Sequence, residues 1–561
     1  MMENKKRRVI IFFVLILICL FSSSVLLLEG VIEGKDTFFH MTRVQSLSRS
    51  IKNGIIPCYV EPEMLDGFGY ATSLFYCDFM FYIPAIMVCM GMNSIIAYKL
   101  FLIIICFLAV WSYFYAAKEI TNDSLCGIVC AAVIACSNYF YIDMFYRGAT
   151  GETLAFIFVP WVIMGAYNIL YADQKKWWQI AVGFSGLLMS HVLSFTVMCI
   201  LFALIIILYL ITAFFDNNFS DLYNKANSIF KAAVISIGIT SWFLFPIIEQ
   251  LATTKFLSSY FAETYNPINS AIRIRNLFIT LDDTVINHNL GVVIFVLSII
   301  SAIAFFKKNK NDCEKFLCNI TVIAFACMIG STSLFPWLKL DPYFNIIQFP
   351  TRLHLFTTIL ISLVGSYWMV KYAKKYKLIY IFIVLIVGLQ VFFYNHKAVT
   401  IYENKKAEDK FMCDEKSYRY YDENYLHINT NRTTFMNRWQ YVGQIRGINN
   451  HITGECQYPA YGVYNISFSD NHYNNNYLEM PIHYYRGYEV KDESGNLLDT
   501  FPSEERGWLT VDISNYDNGE LTVIYGGTFI QKASLLISIA FCAGILYICF
   551  YKFTAKDDAK L

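Results

Sequence analysis

The residues best suited to chemistry lie at the ends of apolar runs. Apolar side chains recur at helical spacing in GKDTFFHMTRVQSLSRSIKNG, where Asp36, His40 and Arg43 fall at i, i+4 and i+7 on one face. A carboxylate on that face could act as a general base on a hydroxyl group, and a guanidinium could bind a phosphate. Asp36 is also suited to cap the helix, which is the commoner role for an aspartate at such a position.

Arginine, histidine and glutamate lie between apolar runs at three more places. The segment YRGATGE contains Arg147 and Glu152, and its glycines allow close backbone approach while the arginine could meet an anion. A tight turn with a helix-capping acid explains these residues equally well. Arg352 and His354 begin another run in QFPTRLH, where an arginine ordinarily snorkels to the membrane surface. His191 in SHVLS is more often a hydrogen-bonded buried histidine than a ligand.

The sequence contains no recognisable cofactor motif. No histidine or cysteine spacing matches a zinc site. Carboxylates such as Asp36, Glu152 and Asp282 could share a divalent cation, so the metal is left open. There is no glycine-rich phosphate loop or dinucleotide fingerprint, and we therefore expect no organic cofactor and no cytosolic nucleotide-binding domain.

These residues need a membrane scaffold to position them. Of the 561 residues, 56% are hydrophobic and 16% charged, and the mean hydropathy is +0.44. The formal net charge of +1 gives no indication of nucleic acid as a partner. The sequence predicts a mainly α-helical, polytopic transmembrane bundle of about twelve spans. The first covers residues 9–29, and the others begin near 97, 125, 153, 178, 195, 231, 291, 317, 352, 378 and 533.

Basic residues predict the orientation of these spans. The cluster KKRR directly before the first run favours a cytoplasmic N-terminus, and most later lysine clusters then fall on inner loops. A cytoplasmic C-terminus follows from twelve spans. Residues 74–92 are apolar but contain Asp78 and Pro84, and counting them as a span would reverse these loops, so we expect a helix at the outer interface.

The predicted domains follow the changes in composition. Residues 1–395 form the transmembrane domain, whose first extracytoplasmic loop is 30–96. Residues 396–532 are polar and carry alternating stretches such as LTVDI and LTVIY, which predict an extracytoplasmic β-sandwich. Residues 533–561 form a C-terminal anchor and a short cytoplasmic tail. The pairing of the four cysteines outside apolar runs is left open: Cys58, Cys77, Cys413 and Cys456.

The distribution of ionisable residues along the sequence limits the classes of function that are compatible with it. Ion-coupled transporters carry ionisable residues at mid-membrane, whereas here such residues cluster where predicted spans meet the outer surface. They define one outer-facing polar site. A transferase without a cytosolic nucleotide site must receive an activated donor already carried across the bilayer, and a lipid-linked sugar fits an interfacial pocket.

Six segments resemble known bacterial membrane proteins. GKDTFFHMTR, FYRGATGETLAFIFVPW, MSHVLS, FPIIEQ, IIQFPTRLH and MPIHYYRGYEV look like the YfhO-like proteins and the related 6-pyruvoyl-tetrahydropterin synthase-related membrane proteins. The resemblance covers nearly the whole chain, and the sequence gives no indication of pterin chemistry. These families are similar to the GT-C superfamily of glycosyltransferases, which take sugar from a polyprenyl-phosphate carrier outside the membrane.

The resemblance implies roles for individual residues. By position, Asp36 matches the acidic residue that serves the acceptor in the first outer loop of that superfamily, and Arg43, Arg147 and Arg352 become candidates for the carrier phosphate. The paired Asp-Glu of protein mannosyltransferases is missing, which leaves the substrate open. The hypothesis is an inverting transfer to a cell-envelope polymer, lipid or protein at the plasma membrane. Its catalytic candidates are Asp36, His40 and Glu152, and its substrate-binding candidates are Arg43, Arg147, His191, Arg352 and His354.

Two other classes of function stay open. A lipid-linked saccharide flippase or exporter would need a polar path across the membrane, and mid-span charges are nearly absent. A non-catalytic envelope-assembly protein could bind polymer by stacking sugars on ectodomain tyrosines, although tyrosine is also ordinary in β-sheet cores. These tyrosines are Tyr461, Tyr464, Tyr484, Tyr485 and Tyr488. The sequence does not give the oligomeric state, the sugar or the acceptor.

Overall fold

The computed structural model is mostly helical within the residues that it describes. These are 2–32, 34–217, 219, 221–259, 270–279, 289–337, 339, 348–375, 411–412, 423–471 and 476–558, with isolated positions between 385 and 400. Among these residues, the helices of eight residues or more are α1 Met2–Ser22, α2 Thr37–Lys52, α3 Tyr82–Cys89, α4 Ser94–Thr121, α5 Ser124–Ala135, α6 Thr150–Tyr171, α7 Trp178–Leu188, α8 Val192–Phe215, α9 Leu222–Thr253, α10 Val292–Phe305, α11 Asp312–Gly330, α12 Leu353–Lys375 and α13 Phe529–Asp558.

Seven of the described helices are long and apolar enough to cross a membrane: α4, α6, α8, α9, α11, α12 with its preceding turn, and α13. An eighth span results if α5 and the following segment Asn138–Arg147, which bend by 46°, count as one. The chain is therefore a multi-pass membrane protein. The predicted twelve spans are not confirmed. The first, 9–29, overlaps α1, which ends at Ser22 and is not among the seven, and the runs near 178 and 291 form helices of only 11 and 14 residues. Most of the run near 378 lies outside the described residues.

The segment 74–92 forms short helical pieces. The longest, α3, has eight residues, which is about 12 Å of helix against a hydrocarbon core of about 30 Å. It is too short to span the bilayer, in agreement with the exclusion of this segment from the predicted spans.

The chain forms two compact units. The first consists of residues 1–41, 93–236 and 265–418. Within it, α12 packs against α5, α10 and α11, and 94% of its apolar stretch is buried. Helix α4 contacts α1, α5 and α6, and α6 packs closely on α7. A Cβ on Gly186 of α7 would lie 2.1 Å from the Phe158 ring of α6, so only glycine permits this approach. This unit also pairs β1 Val31–Ile32 with β2 Phe411–Met412.

The second unit consists of residues 42–92, 237–264 and 419–561 and contains two antiparallel sheets. The strands are β3 Arg446–Gly447, β4 Thr453–Ala460, β5 Val463–Ser469, β6 Tyr477–His483, β7 Tyr488–Asp492, β8 Leu497–Leu498, β9 Thr500–Pro502, β10 Trp508–Asp512 and β11 Gly519–Tyr525. Their orders are β3-β6-β10-β9 and β4-β5-β11-β7-β8. Alternating residues such as Leu521 and Val523 are buried, as the period-two pattern predicts. The finer sandwich arrangement and the predicted domain boundaries stay predictions.

The cysteines outside the apolar runs form no disulfide where they are described. Cys58, Cys77 and Cys456 are buried free cysteines. Cys413 lies outside the described residues.

Candidate functional site

Asp36 immediately precedes α2 in the first unit. Its backbone N–H donates to the carbonyl of Arg147 at 2.7 Å, and its own carbonyl accepts from the His40 N–H at 3.1 Å. Within the described part of the chain, the Asp36 carboxylate takes part in no hydrogen bond or ion pair, so no side-chain cap of α2 is observed. The carboxylate is partly exposed and is held in place through its backbone.

A glycine makes the approach of these two segments feasible. Gly148 has φ +66°, and a Cβ there would lie 2.2 Å from Thr37 Oγ1 and 2.9 Å from the Thr37 nitrogen. Both the left-handed backbone and the absence of a side chain are therefore required at this position. Gly148 is one of the glycines for which the sequence predicted close backbone approach, and it contacts Thr37, the residue after Asp36.

Arg147 is the centre of a buried charge cluster. It lies at the end of a π-helical segment, Ile142–Arg147, and such segments are often found at functional sites. Its Nη1 is 2.7 Å from Asp143 Oδ1 and 2.8 Å from Glu152 Oε2. Both carboxylate side chains are at most 1% exposed. One arginine thus joins two buried carboxylates, one in the first turn of the π-helical segment and one in the first turn of α6.

Further polar groups surround Glu152. The Tyr139 hydroxyl donates to Glu152 Oε1 at 2.7 Å, and the Arg352 Nε lies 3.9 Å from Glu152 Oε2. The His354 ring lies edge-on to the Tyr139 ring at 5.9 Å, and His354 Nε2 is 2.7 Å from Ser331 Oγ. The cluster therefore combines residues from 139–152, 331 and 352–354, all of which belong to the first unit.

His191 caps α8 beside this cluster. Its Nδ1 accepts a hydrogen bond from the Ser194 N–H at 3.3 Å. Burial lowers the pKa of His191 to about 4, with the charges of Arg352 and Arg147 acting in the same direction and Glu152 opposing them. The imidazole is neutral near pH 7, so it can position a group by hydrogen bonding but does not add positive charge.

The electrostatic environment of Asp36 suits a proton acceptor. Burial raises the pKa of Asp36 above its usual value, and Arg147 and Arg352 oppose this shift while Glu152 adds to it. A carboxylate with a raised pKa is a stronger base than an exposed aspartate, and the two guanidinium groups lie close enough to influence its charge.

Two predicted site residues lie in other surroundings. His40 is buried, with its ring 5.1 Å from that of Phe39. Arg43 belongs to the second unit, where it forms a buried ion pair with Asp78 and lies 4.0 Å from the Phe81 ring centre. Its guanidinium also donates to the carbonyls of Tyr76 and Cys77. Arg43 is thus engaged with its own unit.

The described residues do not form a metal centre. No group of three or more histidine, cysteine, aspartate or glutamate side chains among them could hold an ion. Asp282, which was a candidate ligand together with Asp36 and Glu152, lies outside the described residues.

Tyr139 was not among the predicted site residues, and Asp143 was predicted only as one of the ionisable residues of the outer-facing polar site, without a catalytic or binding role. Asp143 is the only acid in the run SNYFYIDMFYRG, which was a usable signal. Tyr139 gave none, because tyrosine is common throughout this chain and only the fold brings its hydroxyl to Glu152.

Comparison with known proteins identifies one matching family. The sequence model described as "6-pyruvoyl-tetrahydropterin synthase related domain; membrane protein" matches residues 74–396, more than half of the chain. An uncharacterised protein of Lactococcus lactis subsp. cremoris (strain MG1363) is 27% identical over 224 residues, which is 39% of this chain and 36% of that protein.

Solved structures of one archaeal enzyme show distant likeness. The oligosaccharyltransferase AglB from Archaeoglobus fulgidus, in complex with an inhibitory peptide and a dolichol-phosphate, has 13% identity and a TM-score of 0.43. The match covers 73% of this chain and 57% of that one. The apo form of the A. fulgidus enzyme gives 14% identity and a TM-score of 0.40, with coverage of 72% and 57%. The chain therefore spans about a third of the lactococcal relative and little more than half of the archaeal enzyme.

Proposed function

We propose that this chain, which belongs to the family of 6-pyruvoyl-tetrahydropterin synthase-related membrane proteins, is a glycosyltransferase of GT-C type. It moves a sugar from a polyprenyl-phosphate donor to a cell-envelope acceptor on the outer face of the plasma membrane. The observation that carries the proposal is the Asp36 carboxylate, which has a raised pKa and no hydrogen bond among the described residues, beside Arg147 and Arg352.

The reaction is a single displacement. A hydroxyl oxygen of the acceptor attacks the anomeric carbon of the sugar, and Asp36 takes the hydroxyl proton. The bond between the anomeric carbon and the phosphate oxygen breaks with inversion, and the polyprenyl phosphate leaves with the electron pair. The leaving group gains negative charge, so a nearby guanidinium lowers the barrier.

Arg352 is the better candidate for the leaving phosphate. Arg147 contacts two buried carboxylates within 2.8 Å, whereas Arg352 approaches Glu152 only to 3.9 Å. The Arg352 Nη1 donates to Gln348 Oε1 at 2.7 Å. In this proposal Glu152 and Arg147 hold the site in shape, and His191 orients a donor or acceptor group.

The test is sugar transfer by the purified full chain from a panel of radiolabelled undecaprenyl-phosphate sugars to envelope acceptor. We expect transfer by the wild type and a loss of at least about 100-fold in Asp36→Ala, the scale of a general base. Glu63→Gln is the control, because Glu63 is an exposed carboxylate in a surface ion pair with Arg49 and should retain full activity.

Two results would contradict the proposal. Full transfer by a folded Asp36→Ala variant would show that Asp36 is not the base. Absence of transfer from every donor, by protein that melts cooperatively, would favour transport or assembly instead.

A further inference from the structure

A cavity of about 360 Å³ lies wholly within the second unit. Its wall includes Gln531, Lys532 and Leu535 from the first two turns of α13. Because α13 is a candidate span that begins at Phe529, the cavity borders the N-terminal end of a candidate span. Its size falls at the lower end of the range typical of small-molecule sites.

Five tyrosines form much of the cavity wall. They are Tyr59, Tyr461, Tyr464, Tyr488 and Tyr525. Tyr464 and Tyr488 are only 2% and 6% exposed and form the deep part, whereas the other three are partly exposed. Large aromatic rings are therefore available from more than one side of the cavity.

Hydrogen bonds fix most of these rings in place. Tyr59 donates to the Trp242 carbonyl at 3.1 Å, and Tyr464 donates to the Pro62 carbonyl at 3.4 Å. Tyr525 donates to the Arg486 carbonyl at 3.1 Å and accepts from Gln531 Nε2 at 2.8 Å. Rings held in this way lose little conformational entropy on binding a ligand. Each hydroxyl that donates to the protein keeps acceptor capacity for a ligand.

Backbone forms another part of the wall. Gly462 has φ +74°, and a Cβ there would lie 3.6 Å from Pro62 and 3.7 Å from Ile55. A side chain at this position would occupy the cavity in a strained conformation. Glycine keeps the space open next to Tyr461.

We propose that this tyrosine-lined cavity is a saccharide-binding site for a neutral oligosaccharide of the cell envelope, separate from the site around Asp36. The flat, apolar faces of pyranose rings stack on tyrosines, and sugar hydroxyls pair with phenolic oxygens and backbone groups. The proposal does not depend on the transferase activity.

The lining favours a neutral sugar over a phosphate headgroup. Lys532 is the only charged side chain among the lining residues, and its Nζ lies 4.0 Å from Glu489 Oε1. A doubly charged phosphate would find one cation that already has a carboxylate nearby. Neutral hydroxyls need no such compensation.

The test measures binding of cellotetraose, chitotetraose, maltotetraose and tetragalacturonate to the full chain in lipid nanodiscs, by calorimetry and ligand-observed NMR. We expect at least one neutral tetrasaccharide to bind. Tyr461→Ala should weaken that binding by about 2- to 10-fold, as expected for one stacked ring. Val463→Trp, which fills the cavity from β5, should abolish it.

Tyr516→Ala is the matched control, because Tyr516 lies in the same unit outside the cavity and bonds Asp492 at its surface. The Tyr516→Ala variant should bind the saccharide as tightly as the wild type does. Failure of every neutral tetrasaccharide to bind, or unchanged binding in both cavity variants, would overturn the proposal. Loss of co-purified phospholipid from Val463→Trp with no saccharide effect would assign the cavity to lipid and would also overturn it. Each result is read independently of sugar transfer.

Discussion

The raised pKa of Asp36 has a kinetic consequence. Only the deprotonated carboxylate can accept a proton, so kcat/KM should fall as the pH drops through this pKa, at a higher pH than for an exposed aspartate. We expect a sigmoidal loss of activity on the acid side, measured by sugar transfer between pH 4 and 8.

Asp36→Asn separates this titration from others. Its residual transfer should lack the acid-side loss, because the group that titrates has been removed. If the variant retains the same acid limb as the wild type, the limb belongs to another group and Asp36 is not the base.

Glu152 should be needed for stability and activity together. Glu152→Gln would remove the buried carboxylate that pairs with Arg147, and breaking a buried ion pair typically costs about 3–5 kcal/mol. Tyr139→Phe would remove only one hydrogen bond to the same carboxylate, typically about 1–3 kcal/mol. Thermal melting in detergent should therefore show a larger drop in Tm for Glu152→Gln. Equal Tm values for the two variants would contradict this account of the cluster.

Sequence separation decided which residue contacts could be anticipated. Arg147 and Glu152 lie five residues apart in one motif, and their proximity was visible before the fold. The partner of Arg43 is Asp78, 35 residues away, and no periodicity connects the two. The helical face predicted for Asp36, His40 and Arg43 rested on spacing alone. The fold surrounds Arg43 with an acid and aromatic rings that spacing does not reveal.

At the scale of elements, Gly148 controls how the Arg147 segment meets the start of α2. Gly148→Ala should displace Thr37 and with it Asp36, because the new Cβ would come within 2.2 Å of Thr37 Oγ1. We expect sugar transfer to fall by at least about 100-fold, since small displacements of catalytic groups have effects of this size.

Gly54 provides the matched control for this substitution. Its φ is +76°, close to that of Gly148, but a Cβ there would meet nothing within 4 Å. Gly54→Ala should share the backbone strain and keep near-normal transfer. Equal losses in both variants would mean that strain, not crowding beside Asp36, causes the effect.

Hydropathy predicted where the apolar helices lie better than it predicted how long they are. The long helices α4, α8 and α13 coincide with predicted spans, because more than 20 apolar residues leave few alternatives. Composition does not show where a helix ends, and α7 and α10 are shorter than their apolar runs suggested. The alternating strands β10 and β11 were visible as LTVDI and LTVIY, whereas their pairing with β6 and β5 joins segments that are distant in the sequence.

At the scale of the molecule, Glu61 should make stability depend on pH. Burial raises its pKa from 4.5 to about 8, and the charge of Asp78 adds to this shift. Between these values the folded state holds a proton that the unfolded state releases, so stability falls as the pH rises towards 8. The lowered pKa of His191 has the opposite effect, because it makes stability rise with pH, but only between about pH 4 and pH 6.5. The Tm should therefore fall from pH 6.5 to 8.

Glu61→Gln should flatten this pH dependence. The amide is close in shape to the protonated acid and retains an acceptor for the Thr72 N–H. Glu63→Gln, an exposed change in the same loop, should keep the wild-type slope. An identical slope in Glu61→Gln would show that another group is responsible.

The number of spans has a consequence for the two termini. Seven spans would place them on opposite sides of the membrane, whereas eight, with the bent pair counted as one, or the predicted twelve would place them on the same side. The basic residues at both ends, KKRR near the N-terminus and three lysines after residue 551, favour two cytoplasmic termini.

Green fluorescent protein fused at either terminus should fluoresce. Alkaline phosphatase fused after Gly527, where the strands end and α13 has not begun, should be active. A phosphatase signal at the C-terminus would place that end outside the cell and favour an odd number of spans. Inactive phosphatase after Gly527, together with fluorescence there, would put the β-rich segment in the cytoplasm, beyond the reach of an outer-surface acceptor.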